Sequence, residues 1–193
     1  MTFKRTRCPC CKGKLEPGQR IHPNCIEPYA DDQAAKAKRK AEKQARMAAK
    51  VERAETRKRK EAIKTRADWL KDAQKAFNAF IRARDQLAGY TCISSGRPLD
   101  WTGNNVDAGH YRSTGSAPHL RFDERNCHAQ SKMDNRWLAG NAVDYRIGLI
   151  ARIGIEQVEA LEADNESRKY TVDDLKQITA TYRAKLKKLR EVA

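Results

Sequence analysis

Two absences organise this chain of 193 residues. Between Pro28 and Gly89 there is neither glycine nor proline, so neither of the usual helix breakers interrupts that interval. No stretch approaches the ~20 apolar residues of a membrane span. Met1–Lys12, basic and cysteine-rich, lacks the hydrophobic run of a secretory signal. The expectation is a cytoplasmic protein of a bacterial or viral setting, with no membrane partner and with its six cysteines serving as reduced thiols or metal ligands rather than disulfides. Aromatic residues are scarce at 7%, and hydrophobic ones make up 39%, so the core is small for the length.

What the chain has in excess is positive charge: 40 Lys and Arg against 25 Asp and Glu, a formal net charge of +15. This balance favours a polyanion, with nucleic acid first, although ribosome-associated, membrane-surface and plainly soluble basic proteins share it. Residues 31–66 carry fourteen basic and six acidic side chains among alanines and glutamines, with only Met47, Val51 and Ile63 as larger apolar groups. These are strong helix formers, and an unbroken helix up to Gly89 would reach roughly 90 Å at 1.5 Å per residue. A helix polar all round gains little by packing. This arm is therefore either solvated or ordered on a polyanion, with Lys36, Lys38, Arg39, Lys40, Arg57, Lys58, Arg59 and Lys60 as candidate phosphate contacts.

Further on, Trp69, Ala73, Phe77, Phe80, Ile81 and Arg84 recur at three- and four-residue steps, which predicts a helix with one apolar face that Gly89 ends. The stretch from Tyr90 to Gly140 is rich in turn residues, and Val106–Tyr111 and Leu120–Phe122 each read as a strand. In the tail, Val143, Ile147, Ile150 and Ile153 form a helical stripe that stops at Gly154, and a short turn follows over Ile155–Leu161. Thr171 and Asp174 form a capping pair that opens a last helix bearing Leu175, Ile178, Tyr182, Leu186 and Leu189. No internal repeat is present.

Near the start, Cys8-x-x-Cys11 and His22-x-x-Cys25 have the spacing of a zinc knuckle, with Cys10 as a spare or as a replacement for His22. A closed four-ligand site leaves no position open for catalysis, so structural support is the expected role.

The stretch that carries chemistry is Asp107-Ala-Gly-His110-Tyr111 followed by Asn126-Cys-His128-Ala-Gln130-Ser-Lys-Met-Asp134-Asn135. Two strands followed by a helix from Asn126 would place His110 on a strand and His128 and Asn135, seven apart, on one side of that helix. Phosphodiester hydrolysis needs an activated water and a cation on the developing charge. Hard ions such as Mg²⁺ or Mn²⁺ take carboxylate and amide oxygens, which Asp107 and Asn135 offer, and a neutral imidazole at His110 is the natural base.

The order His, Asn, Asn resembles the HNH nucleases. More of the chain resembles the NinG (Rap) family of lambdoid phages, recombination endonucleases that act on branched DNA. The matching stretches are Trp69–Arg84, Trp101 with Asp107–Arg112, Leu120–Asn126, and Gly140-Asn141 with Tyr145-Arg146, so the likeness covers about residue 68 to the end. It implies that His110 is the general base, that Asn126 braces the catalytic turn, and that Asn135 is a metal ligand, with Arg112 and Arg121 on DNA. It departs at Gly109, where most HNH enzymes carry a metal-binding Asp or His; Asp107 and then His128 are the substitutes. It departs again where relatives carry two Cys-x-x-Cys pairs that hold structural zinc. The corresponding positions here are Cys92 with Ser95 and Ser131 with Asp134, which implies that this zinc site is lost.

The resulting expectation is a mostly helical α+β chain: a cysteine-rich zinc knuckle at 1–29, a basic helical arm at 30–66, and a small ββα-metal (HNH-like) nuclease core with flanking helices at 67–193. Its expected activity is metal-dependent cleavage of Holliday junctions or D-loops, with a homodimer and phage recombination proteins as further partners. The alternatives are a non-catalytic DNA-binding recombination accessory on an HNH scaffold and an HNH nuclease of homing or restriction type.

Overall fold

The computed structural model describes residues 5–138 and 140–192. Residues 1–4, and with them the first part of the Met1–Lys12 stretch, lie outside the described residues. The architecture is mostly helical α+β with a two-stranded sheet, and the chain divides into two compact units, Met1–Ile63 and Lys64–Ala193. Segment 1–29 and residues 30–63 of the arm lie in the first unit, and residues 64–66 fall in the second with 67–193.

In the first unit an antiparallel bridge between Arg7 and Lys14 closes the cysteine-bearing turn. A 3-10 turn, Pro23–Cys25, leads into helix α1, Ile26–Ala62, which buries no residue. The helix does not run on to Gly89. Thr65 opens a separate helix, α2 (Arg66–Leu87), through a reciprocal capping box: Thr65 Oγ1 accepts from the Asp68 N–H at 3.2 Å, and Asp68 Oδ2 accepts from the Thr65 N–H at 3.0 Å. The box satisfies amides that would otherwise lack partners, so it fixes a helix start even without glycine or proline.

In the second unit, α2 turns the predicted face inward. Ala73, Phe77, Phe80 and Ile81 meet Leu175 and Tyr182 of the last helix, together with Ala108, Phe122 and Cys127. The Phe77 ring stands edge-on to those of Phe122 and Tyr182. Truncating such a buried ring to alanine costs about 3–5 kcal/mol. The sheet pairs β1 (Val106–His110) with β2 (Cys127–Ser131) antiparallel, from Val106↔Ser131 to His110↔Cys127. Leu120–Phe122 is therefore not a strand; Pro118–Leu120 is a 3-10 turn. Nor does a helix begin at Asn126. The strand that follows it is buried over Cys127–Gln130 without the alternation that marks a half-exposed strand, and its free edge is sealed by Asp85 Oδ2 on the Ala129 N–H (2.6 Å) and by the Ile93 N–H on the Ala129 carbonyl (3.1 Å).

After β2 come a short π-helix, Met133–Trp137, and helices α3 (Ala142–Ile153), α4 (Ile155–Ala163) and α5 (Val172–Val192). The Thr171–Asp174 cap on α5 is present. The expected α3 stripe is split: Ile150 and Ile153 pack on the core of Ile93, Leu120, Val158 and Leu161, where Tyr145 and Leu149 are also buried, while Val143 and Ile147 are 75% and 64% exposed. Gly148 permits a close approach on its side of the helix, because a Cβ there would lie 1.9 Å from the Ile93 carbonyl oxygen, and sequence periodicity scores a glycine as neutral.

Candidate functional site

His110 ends β1 with its ring beside Phe77. Its Nε2 lies 3.0 Å from the Arg121 carbonyl oxygen, and its Nδ1 is 3.7 Å from Cys127 Sγ. Burial outweighs the opposing bond to the Arg121 carbonyl and, with the Arg121 charge, holds its pKa below the usual histidine value, which favours the neutral ring near pH 7. With Nε2–H donating to the carbonyl, the lone pair sits on Nδ1. His110 lines a cavity of about 290 Å³ together with Tyr111, Ser113, Thr114 and Asn135.

Asn126 is fully buried and ties the chain after His110 to the loop before β2. Its Oδ1 accepts from the Arg112 N–H at 2.8 Å, and its Nδ2 donates to the Arg112 and Leu120 carbonyls at 3.0 and 3.2 Å. One amide side chain thus fixes both turns that hold the imidazole.

Asn135, on the π-helix, donates Nδ2 to Asp107 Oδ2 at 3.0 Å, and the Arg136 guanidinium reaches the same oxygen at 3.0 Å. Asp107 and Asn135 are therefore adjacent, and Asn135 is the one of the pair that shares the His110 cavity. His128 does not join them. It sits on β2, 4% exposed, with Nε2 on the Arg125 carbonyl at 3.1 Å and Nδ1 facing Arg84 Nη2 at 3.1 Å. Burial, and next the Arg84 charge, depress its pKa to about 4. Both nitrogens are thus engaged away from Asp107 and Asn135. Position 109 is closed for a different reason. A Cβ on Gly109 would come within 2.1 Å of Gln130 Oε1, and Gln130 is buried and held by Ser94 Oγ and the Gly140 carbonyl.

The two arginines assigned to DNA are engaged within the unit. Arg112 Nη1 donates to the Leu161, Glu162 and Asp164 carbonyls at the end of α4, and its Nη2 to Asn165 Oδ1. Arg121 donates to Gln74 Oε1 and the Thr114 carbonyl. Both guanidinia thus make structural bonds within the unit, Arg112 through four contacts and Arg121 through two of its five N–H donors. Cys127 beside the imidazole and Gln130 against Gly109 went unread in the sequence. Their roles depend on the β1–β2 register, which the misplaced second strand concealed.

The positions Cys92, Ser95, Ser131 and Asp134 do converge. Asp134 Oδ2 accepts from Cys92 Sγ (3.2 Å), Ser95 Oγ (2.9 Å) and Ser131 Oγ (2.6 Å), and the Ser131 N–H donates to Cys92 Sγ at 3.2 Å. Burial works to raise the Asp134 carboxyl, but the bonds from Ser131, Cys92 and Ser95 prevail and hold it below the usual aspartate value.

In the first unit, Cys8, Cys11, His22 and Cys25 present four ligand atoms all within 4.8 Å of one another, and Cys10 is not among them. His22 Nε2 lies 3.0 Å from the Lys14 carbonyl and Nδ1 lies 3.2 Å from Cys11 Sγ. The carbonyl fixes the tautomer that leaves Nδ1 free to ligate. Burial would raise the Cys8 thiol, yet contacts to the His22, Cys11 and Cys10 backbones draw it to about 6; burial, and then the neighbouring thiols, push Cys25 up to about 12. Thiols that burden one another this way suit a shared cation, and three sulfurs with one imidazole can hold zinc.

No helix among the described residues is long and apolar enough to cross a membrane. No solved structure matches the chain. Curated relatives do: "Protein ninG" of Salmonella phage P22 is 49% identical over 133 residues, 69% of this chain and 63% of the relative. The protein of that name in Escherichia phage lambda is 48% identical over 132 residues, 68% of this chain and 62% of the relative. The one in Escherichia phage 933W is 48% identical over 132 residues, 68% of this chain and 63% of the relative. The matched region thus spans somewhat under two thirds of these relatives' length. The family described as Bacteriophage Lambda NinG protein matches residues 1–191, reaching through the cysteine cluster as well as the stretches compared above, and the chain belongs to that family.

Proposed function

We propose that the Lys64–Ala193 unit is a metal-dependent endonuclease that hydrolyses phosphodiester bonds in branched DNA, with His110 as general base. The observation that carries this reading is the Asn126 clamp, which holds a neutral imidazole between the Arg112 turn and the Arg121 carbonyl at the wall of a cavity shared with Asn135. In this reading Nδ1, on leaving its 3.7 Å contact with Cys127 Sγ, takes the proton of the attacking water. Asp107 and Asn135 would hold a divalent ion, Mg²⁺ or Mn²⁺, which would stabilise charge on the phosphate. Arg136 and Asn135 Nδ2 both lie on Asp107 Oδ2, so an ion bound there would displace the guanidinium, which could then face the phosphate. The preference for branched substrates, pairing into a homodimer and work beside phage recombination proteins follow from family resemblance and belong to the same proposal, with α1 as the generic DNA contact.

A second reading, a DNA-binding accessory on the same scaffold, is favoured by the closure of position 109 by Gln130 and by the engagement of His128 with Arg84. Cleavage of a labelled four-way junction and a matched linear duplex, with Mg²⁺, with Mn²⁺ and without added divalent ion, separates the two. The nuclease reading expects metal-dependent cutting of the junction and a loss of ~10²–10⁴-fold in His110→Ala. Binding without cutting under every metal selects the accessory. Cutting of both substrates keeps the nuclease, withdraws the branch preference and favours the homing or restriction type.

A further inference from the structure

Helix α1 buries none of its residues, so packing does not dictate where its charges fall. They are nevertheless sorted. Arg39, Lys43, Arg46, Lys50, Arg53 and Arg57 follow alternating steps of four and three. At 100° per residue they fall within an arc of about 80°. No acidic residue between Arg39 and Arg57 lies in that arc. Glu42 lies about 20° beyond one edge of it, and Glu52 and Glu55 stand on the far side with Ala37, Ala41 and Ala48. The ion pairs that α1 does make, Lys36–Asp32 and Arg59–Glu55, use cations outside this run, and among the described residues the six make none.

We infer that this face of α1, rather than its basic residues at large, is a linear binding stripe for the phosphate backbone of duplex nucleic acid. From Arg39 to Arg57 it extends about 27 Å at 1.5 Å per residue, a length over which a duplex presents a phosphate charge every ~1.7 Å of axis. Four of the six are arginines, whose planar guanidinium suits phosphate oxygens. An acidic partner helix is the competing occupant. A coiled coil, however, needs apolar side chains along its seam, and here the seam spacing is occupied by cations while Met47 and Val51 lie outside the arc. Lys38, Lys40, Lys58 and Arg59, which the sequence nominated equally, fall outside the stripe.

This inference rests on the DNA reading but is tested apart from cleavage. The probe is a fluorescein-labelled linear duplex, titrated by anisotropy with the full chain at several salt concentrations and without added divalent ion. One variant carries Arg46→Gln, Lys50→Gln, Arg53→Gln and Arg57→Gln; the other carries Lys38→Gln, Lys40→Gln, Lys58→Gln and Arg59→Gln. Both lose the same charge, and glutamine is a good helix former; circular dichroism checks that both keep wild-type helicity. The stripe variant should bind ~100-fold or more weakly near 0.15 M salt, with a log–log salt slope shallower by about 3, and the control should change less than ~5-fold. Equal losses in the two variants would overturn the stripe while leaving DNA binding intact. Unchanged binding by the stripe variant would also overturn it and point to an acidic helix as partner. A wild type that binds but does not cut leaves the stripe standing and removes only the nuclease.

Discussion

Two four-residue clusters in this chain are built on the same x-x spacing and solve the same problem with different chemistry. In the first unit, Cys8, Cys11, His22 and Cys25 gather soft donors around a point that a cation can occupy. In the second, Cys92, Ser95, Ser131 and Asp134 gather around a carboxylate oxygen. There the donors bring the hydrogens and the anion sits at the centre, an inversion of the charge arrangement of a metal knuckle. Both bring two turns together, but only the first offers a site that something outside the chain can fill.

The sharpest way to break the comparison is to remove zinc. Chelation, or Cys8→Ser, should release one zinc per chain, read by metal analysis, and unfold the knuckle. About 10 kcal/mol of binding free energy is at stake there, while the Asp134 cluster and the second unit's Tm should hold. Simultaneous melting of both units would sink the distinction. The converse change, Ser95→Cys with Ser131→Cys and Asp134→Cys, should recruit a second zinc, with stoichiometry rising from one to two and a Tm that becomes sensitive to chelator. A variant that folds and takes no second metal would mean that the positions converge without tetrahedral geometry. Asp134→Ala alone leaves three donors without their acceptor and should cost about 2–4 kcal/mol, read as the shift of a denaturant midpoint.

The smallest effect is the pH response. The folded Asp134 carboxyl titrates below its ordinary value near 3.8, because the Ser131, Cys92 and Ser95 bonds outweigh the opposing effect of burial. Its contribution to stability is therefore fully present above that value and is lost as pH falls through the lower folded pKa. Acid unfolding of the second unit below about pH 4 should be shallower in Asp134→Asn than in wild type. Parallel curves would show that the carboxylate does not govern the transition.

How legible these features were depended on whether they were local. The apolar face of α2 and the Thr171–Asp174 cap repeat at fixed offsets and could be read directly. The cysteine knuckle, too, announces itself by spacing. The Thr65–Asp68 box is equally local, but the lack of glycine and proline around it points to one long helix. β2 is buried on both faces and lacks alternation, so its sequence resembles a helix carrying His128, which the structure places on a strand. The places of Arg112 and Arg121 could not be read at all. Their partners lie 49 and 47 residues away at Leu161 and Gln74, and only the folded unit brings them together.

Gly109 and Gln130 form, in effect, a single inherited character. A side chain at 109 requires Gln130 to leave its place against Ser94 and Gly140, and a smaller residue at 130 would abandon those same bonds while leaving a void. Either change alone disturbs the contacts of the other residue, so the two positions are coupled, and an acid or imidazole ahead of His110 needs a matching change at 130. Exchanges at the two positions should therefore be found together or not at all.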